Sequence, residues 1–289
     1  MIDWRHWHNE PWLVGGLVFL GWLWAVLAGP MRARLACRAE ALAKADAADI
    51  PFPRAQAWKF YLSLVVFYVA VGSPLDQIGE RFLFSAHMLQ HQLLIYPAAI
   101  FFLLGLPHWM IDPALSAPSL QRTLRVLTHP LTCCLLYTLV ISLWHAPYAY
   151  DFALQHKLVH VGEHVMFFGA ALFYWWPLIS PSRALPPIGY GGQMIYLFSV
   201  LVLMTPVFAY ITFAEEILYP TYEYAPRLFA NFSAMDDQLL AGVGMKLVGM
   251  GVAMTAFGIS FYRWFEAGQR RDAQQEGKPT PPFAATDGQ

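Results

Sequence analysis

The sequence predicts an all-α protein, a polytopic membrane helix bundle of about seven transmembrane helices, with the N-terminus outside and the C-terminus cytoplasmic. Three observations carry this expectation. Of 289 residues, 57% are hydrophobic and only 13% are charged, against about 25% charged in soluble proteins. The apolar residues gather into runs that approach the roughly 20 residues needed to cross a hydrocarbon core. Lysine and arginine are shared unevenly between the connecting segments, and positive loops stay in the cytoplasm.

Taken in order, the first run, 12–29, follows a charged stretch and precedes no small-residue cleavage site, so it reads as a retained helix and not a signal peptide. Between it and the short second run, 58–73, lies a polar, alanine-rich stretch that suits a short surface helix. The third run, 84–106, contains Pro97, which should kink it. The fourth is 124–145, the fifth 158–180, the sixth 193–214 and the seventh 238–265. Residues 1–265 therefore form a single transmembrane domain. Residues 266–289 are polar, carry "KPTPP", and are expected to be a disordered cytoplasmic tail.

The charge pattern sets the orientation. One side carries Arg32, Arg34, Arg38, Lys44, Arg54, Lys59, Arg122, Arg125, Arg183, Arg263, Arg270, Arg271 and Lys278. The other carries only Arg5, Arg81, Lys157 and Arg227, so the bias is thirteen to four. The formal net charge of -1 gives no reason to expect a nucleic acid partner. Cys37 stands alone and Cys133 and Cys134 are adjacent, so neither a disulfide framework nor a zinc ribbon is encoded. "GYGG", Gly189 to Gly192, precedes a helix with no strand before it, and reads as a loop, not a phosphate cradle.

The chemistry lies in the histidines. "SAHMLQHQLLIYP" places His87 and His91 four residues apart in the outer half of the third helix, about 6 Å apart along one face. "QHKLVHVGEHVMFF" repeats the spacing with His156, His160 and His164, and Glu163 beside the last, at the outer start of the fifth helix. The fourth helix ends outside with His145 and the nearby Asp151. The seventh begins outside with Met235, Asp236, Asp237, Gln238 and, further in, Met245. Polar groups in lipid are costly and should face the bundle interior. Imidazole suits copper, zinc and iron, and thioether sulfur favours copper(I). The candidate ligands are His87, His91, His160, His164, His145, Met245 and Asp237.

A single intramembrane histidine most often serves as an interhelical hydrogen-bond partner, but two co-facing pairs at one depth point to a metal. Without a glutamate after the first histidine of the pair, the zinc-protease H-E-x-x-H is absent. One haem between the two helices is an alternative use of the same residues; two stacked haems need ligands farther apart. A purely structural scaffold is the third reading. Lys246 either snorkels outward or pairs with Asp236, Asp237 or Glu163. Met250 and Met254 continue at four-residue steps from Met245, a spacing that more often means packing than a copper ladder.

Over residues 60–265 the chain resembles the CtaG family of multi-pass cytochrome c oxidase assembly factors. The resemblance rests on "SPLDQIGERFLFSAHMLQHQLLIYPAAIFFLLGLP", on "LTHPLTCCLLYTLVISLWHAPYAYDFALQHKLVHVGEHVMFFGAALFYWWPL" and on "DDQLLAGVGMKLVG". Gln92, where methionine is common, and Lys246, where an aromatic is common, depart from its pattern. The resemblance implies a role in maturing a haem–copper cytochrome c oxidase by binding and delivering copper from the periplasmic side of the inner membrane. The partners it implies are oxidase subunits, the lipid bilayer and a periplasmic copper chaperone. No catalytic dyad and no nucleotide-binding motif stands in the sequence, so the expectation is a carrier, not an enzyme.

Overall fold

The computed structural model describes residues 7–43 and 51–275. Long apolar helices run side by side, joined by short helical connections, and there is no strand among the described residues. Helix α1 (Pro11–Ala28) leads to α2 (Arg32–Ala43), the short polar helix expected before the second run. Helix α3 (Arg54–Gly72) is followed by α4 (Pro74–Arg81), which begins sharply. Ser73 Oγ accepts the Leu75 N–H at 3.2 Å, Pro74 sits in the first turn, and Asp76 lies at its positive end.

The third run splits into α5 (Phe84–Leu93), a π-helical turn (Leu94–Ala98) and α6 (Ala99–Leu104). Pro97 lies inside the wide turn, where its missing N–H is tolerated and the expected kink is absorbed. A short α7 (His108–Ile111) precedes α8 (Pro118–Leu127) and α9 (Pro130–Trp144). The sequence read 124–145 as one span, but α8 and α9 meet at 63°. The cause is local: Pro130 forces His129 out of the helical region to ψ 135°, and the His129 ring accepts the Leu131 N–H to start a new helix.

Helix α10 (Pro147–Gln155) is followed by α11 (Lys157–Ile179), and the sixth run breaks at Met204 into α12 (Tyr190–Leu203) and α13 (Thr205–Thr212). A short α14 (Pro220–Glu223) leads into α15 (Ala234–Gln275), 42 residues long. At a 1.5 Å rise it extends about 63 Å, roughly twice a hydrocarbon core. Residues 266–275 of the expected tail therefore continue this helix, and 276–289 lie outside the described residues.

Among the described residues, five helices are long and apolar enough to cross a membrane, or up to six if the bent pair is one span. Helix α11 is not among the five; Lys157, His160, Glu163 and His164 make its first two turns polar. Large apolar side chains such as Leu139, Ile195 and Phe198 are exposed, as on a surface whose solvent is lipid. Inside, one core gathers Tyr137, Phe167, Tyr174 and Trp175 with the buried Cys133 and Cys134. A second gathers Phe84, Met88, Tyr150, Tyr219, Tyr222 and Met245.

Candidate metal centre

The four histidines at i, i+4 spacing converge between these two cores. The paired rings on each helix lie close, 4.4 Å between centroids for His87 and His91 and 4.3 Å for His160 and His164. Across the helices, His87 lies 5.2 Å from His160 and 5.9 Å from His164, and His91 lies 5.4 Å from His164. Tyr150 closes one side, 5.1 Å from His87, and Phe167 stacks on His91 at 4.0 Å. The imidazoles point at one another inside the bundle. Helical periodicity put each pair on one face, and the packing of α11 against the π-helical turn and α6 that continue α5 joined the faces.

What the rings lack is hydrogen-bond partners. Both nitrogens of His87 and of His91, and Nε2 of His145, His160 and His164, are buried with none among the described residues. Buried polar atoms are nearly always satisfied, so such a group at one place fits a site that takes a polar or metal ligand. One nitrogen each from His87, His160 and His164 lies within 4.8 Å of the others. His87, His91 and Glu163 form a second such set, with His91 Nε2 3.6 Å from Glu163 Oε1. Glu163 is fully buried and neither carboxylate oxygen has a hydrogen-bond partner. The arrangement can offer an ion nitrogen donors and one balancing carboxylate from two helices.

Outer contacts orient the rings. His160 Nδ1 bonds Glu80 Oε1 at 2.8 Å, which leaves Nε2 facing the cluster, the carboxylate–histidine relation common behind metal ligands. His145 Nδ1 bonds the Ile141 carbonyl at 2.7 Å, and its ring stands at the rim, 6.3 Å from His91. Beside the cluster a glycine is required: a Cβ on Gly79 would lie 2.6 Å from Gln90 Oε1 and 3.0 Å from the backbone of His87. Without one, α4 lies directly on α5, and Asp76 and Glu80 reach the cluster. The Gly79 carbonyl accepts from Tyr222 Oη at 2.7 Å, and Tyr222 in turn bonds Tyr150 Oη at 2.7 Å.

Helix α4 also carries the polar wall outside the histidines. Asp76 accepts from Gln90 Nε2 at 2.6 Å and lies 3.2 Å from His8 Nε2. Burial, then the neighbouring Glu80 carboxylate, push the Asp76 acid up to about 6. Glu10 contacts Lys157, which holds its carboxyl down at about 2.

Two expected ligands are placed elsewhere. Asp237 accepts the N–H groups of Phe84 at 2.6 Å and Ser85 at 3.0 Å, so it caps the start of α5 from a distant helix. Met245 packs in the aromatic core with Phe84, Met88 and Tyr150. His156 is exposed and bonds the Phe152 carbonyl, and Asp151 accepts from Thr221. Lys246 reaches Thr205 Oγ1 at 2.8 Å and not an acid. Met250 and Met254 are exposed on the outside of α15. Sequence reasoning missed Asp76 and Glu80 as site residues and did not count Glu163 among the ligands. Their signal was an acidic i, i+4 pair behind a Ser-Pro helix start, and a glutamate inside a histidine run.

Fold and site define a class: a polytopic α-helical membrane protein with a buried imidazole cluster contributed by two helices. The family model for the cytochrome c oxidase caa3 assembly factor matches residues 33–267, and the chain belongs to that family. Comparison with curated proteins gives no match, nor does comparison with solved structures. Membership makes the chain a cytochrome c oxidase assembly factor and points to a non-catalytic role.

Proposed function

We propose that this assembly factor binds copper at the His87, His91, His160 and His164 cluster and delivers it to a haem–copper oxidase. The observation that carries the reading is the set of buried imidazole nitrogens without hydrogen-bond partners, drawn from α5 and α11. One nitrogen each of His87, His160 and His164 lies within 4.8 Å of the others, and the rings close in to make metal–nitrogen bonds of about 2.0–2.1 Å. His145 stands near enough to join on rearrangement, and Glu163 offsets the charge of the ion. Imidazole donors alone admit zinc and iron as well; the family's task in oxidase assembly is what supports copper among them.

The thirteen-to-four distribution of lysine and arginine supports an N-terminus outside, a C-terminus in the cytoplasm, and seven crossings counting α11 and the bent pair. In that frame the cluster sits in the outer half of an inner membrane, open to a periplasmic copper chaperone, and the oxidase subunits receive the metal. Haem is the weaker reading, because a macrocycle has to enter among rings only 4.3–5.9 Å apart. A structural scaffold leaves the orphaned nitrogens without a reason. The test is metal content. Protein purified under reducing conditions and dialysed against copper should retain it stoichiometrically and show no Soret band. Copper-free protein, or a Soret band that accounts for the histidines, refutes the reading.

A further inference from the structure

A cavity of about 280 Å³ opens beside the cluster. Its walls carry His8, Glu10, Asp76 and Glu80, and His160 and His164 also line it. It thus touches both the polar end of α4 and the imidazoles. Within it, Asp76, Glu80 and His160 each offer a donor atom, all within 4.8 Å of one another. Acidic groups alone mean little. Here, however, His164 is buried, lines the same cavity, and has an Nε2 with no hydrogen-bond partner. His160 belongs to both donor sets, with Nδ1 toward Glu80 and Nε2 toward His87 and His164.

We propose that Asp76, Glu80 and His160 form a separate capture site for a divalent transition cation, from which the ion passes to the inner histidines. The proposal rests on the metal-binding reading of the inner cluster. Two carboxylates and one imidazole make a harder donor set than the inner one and suit a hydrated divalent ion arriving from water. The inner cluster offers mostly imidazole nitrogen in a drier place. In the capture site the ion takes the position of the hydrogen between His160 Nδ1 and Glu80 Oε1, and that proton leaves to water in the cavity. Transfer inward then exchanges the Asp76 and Glu80 oxygens and His160 Nδ1 for His87, His164 and His160 Nε2, and Nδ1 regains a proton from water in the cavity. Lys157 also lines the cavity, but its contact with Glu10 balances its charge at the mouth.

The experiment uses full-length protein in detergent and Cu²⁺ alone as the probe. His87→Ala with His91→Ala disables the inner cluster and should still bind one Cu²⁺, more weakly, with an oxygen-rich paramagnetic resonance signal. Adding Asp76→Asn and Glu80→Gln should abolish that binding. In the otherwise native chain, Asp76→Asn alone, which keeps the Glu80–His160 contact, should load the inner cluster about tenfold more slowly, as loss of electrostatic capture does, yet fill that cluster to the same extent. If the inner-cluster variant binds no Cu²⁺, or if Asp76→Asn leaves the loading rate unchanged, the capture site is refuted while the inner site stands. If wild type and the inner-cluster variant bind Cu²⁺ identically, the inner site fails and the capture site remains.

Discussion

Replacing His87 and His91 together by alanine separates a metal site from a structural tie. The two rings are 0% and 2% exposed, and none of their four nitrogens has a hydrogen-bond partner. Each buried unsatisfied polar group costs about 1–3 kcal/mol, so removing the rings relieves a penalty. The same change opens a cavity and forfeits the stacking of His91 on Phe167, at 4.0 Å the closest ring contact of the cluster; large-to-small core changes cost about 2–5 kcal/mol each. These effects oppose one another, and no interhelical hydrogen bond of either ring is lost. The double variant should accumulate in the membrane at a level near wild type, with its melting temperature lowered by several degrees. Copper binding should behave differently. Two of the four clustered imidazoles are gone, and the aromatic neighbours cannot complete a coordination shell, so affinity should fall by orders of magnitude. Oxidase activity in isolated membranes should be lost and partly restored by excess copper in the medium. Immunoblotting, copper content and oxidase turnover on the same membranes decide the matter. Normal protein level with unchanged oxidase turnover would falsify the copper reading and make the histidines structural.

Other outcomes follow from particular contacts. Gly79→Ala forces α4 off α5, because the new methyl meets the His87 backbone at 3.0 Å; overpacking of this kind costs about 1–3 kcal/mol, so melting should drop and copper affinity weaken, and an unchanged melting curve contradicts the close packing. Asp237→Ala uncovers two N–H groups at the start of α5, costing about 0.5–2 kcal/mol; it should lower the melting temperature without changing copper stoichiometry, and the reverse pattern would make it a ligand. The Asp76 acid, raised to about 6 from 3.8, contributes stability that is fully present below pH 3.8 and is lost as pH rises through 6. Asp76→Asn should therefore gain stability relative to wild type between pH 4 and pH 7, and melting temperatures across that range that keep a constant gap rule this out. A reporter fused after Gln289 should behave as cytoplasmic; a periplasmic signal there reverses the orientation proposed from charge.

The membrane helices and the histidine pairs were legible in the sequence because both are local properties. A run of apolar residues is a span wherever it packs, and i, i+4 spacing puts His87 beside His91 in any straight helix. Helix breaks were legible only in part. Pro97 marks the π-helical turn in the third run, but the 63° bend before Pro130 cuts through a run that hydropathy reads as continuous. What the sequence left open is which groups meet across helices. Asp237 is a candidate ligand by its place at the outer start of the seventh run, yet it caps Phe84 and Ser85. Met245 shares a helix with it and turns into the aromatic core. Asp76 and Glu80 become part of the site only because Gly79 lets α4 fold back onto α5, and Glu163 becomes a candidate ligand only because α11 turns it toward His91. Hydropathy and periodicity fix the elements and one face of each. The partner a face meets depends on close packing of distant segments, decided by steric fit at single positions such as Gly79, and only the folded bundle supplies that.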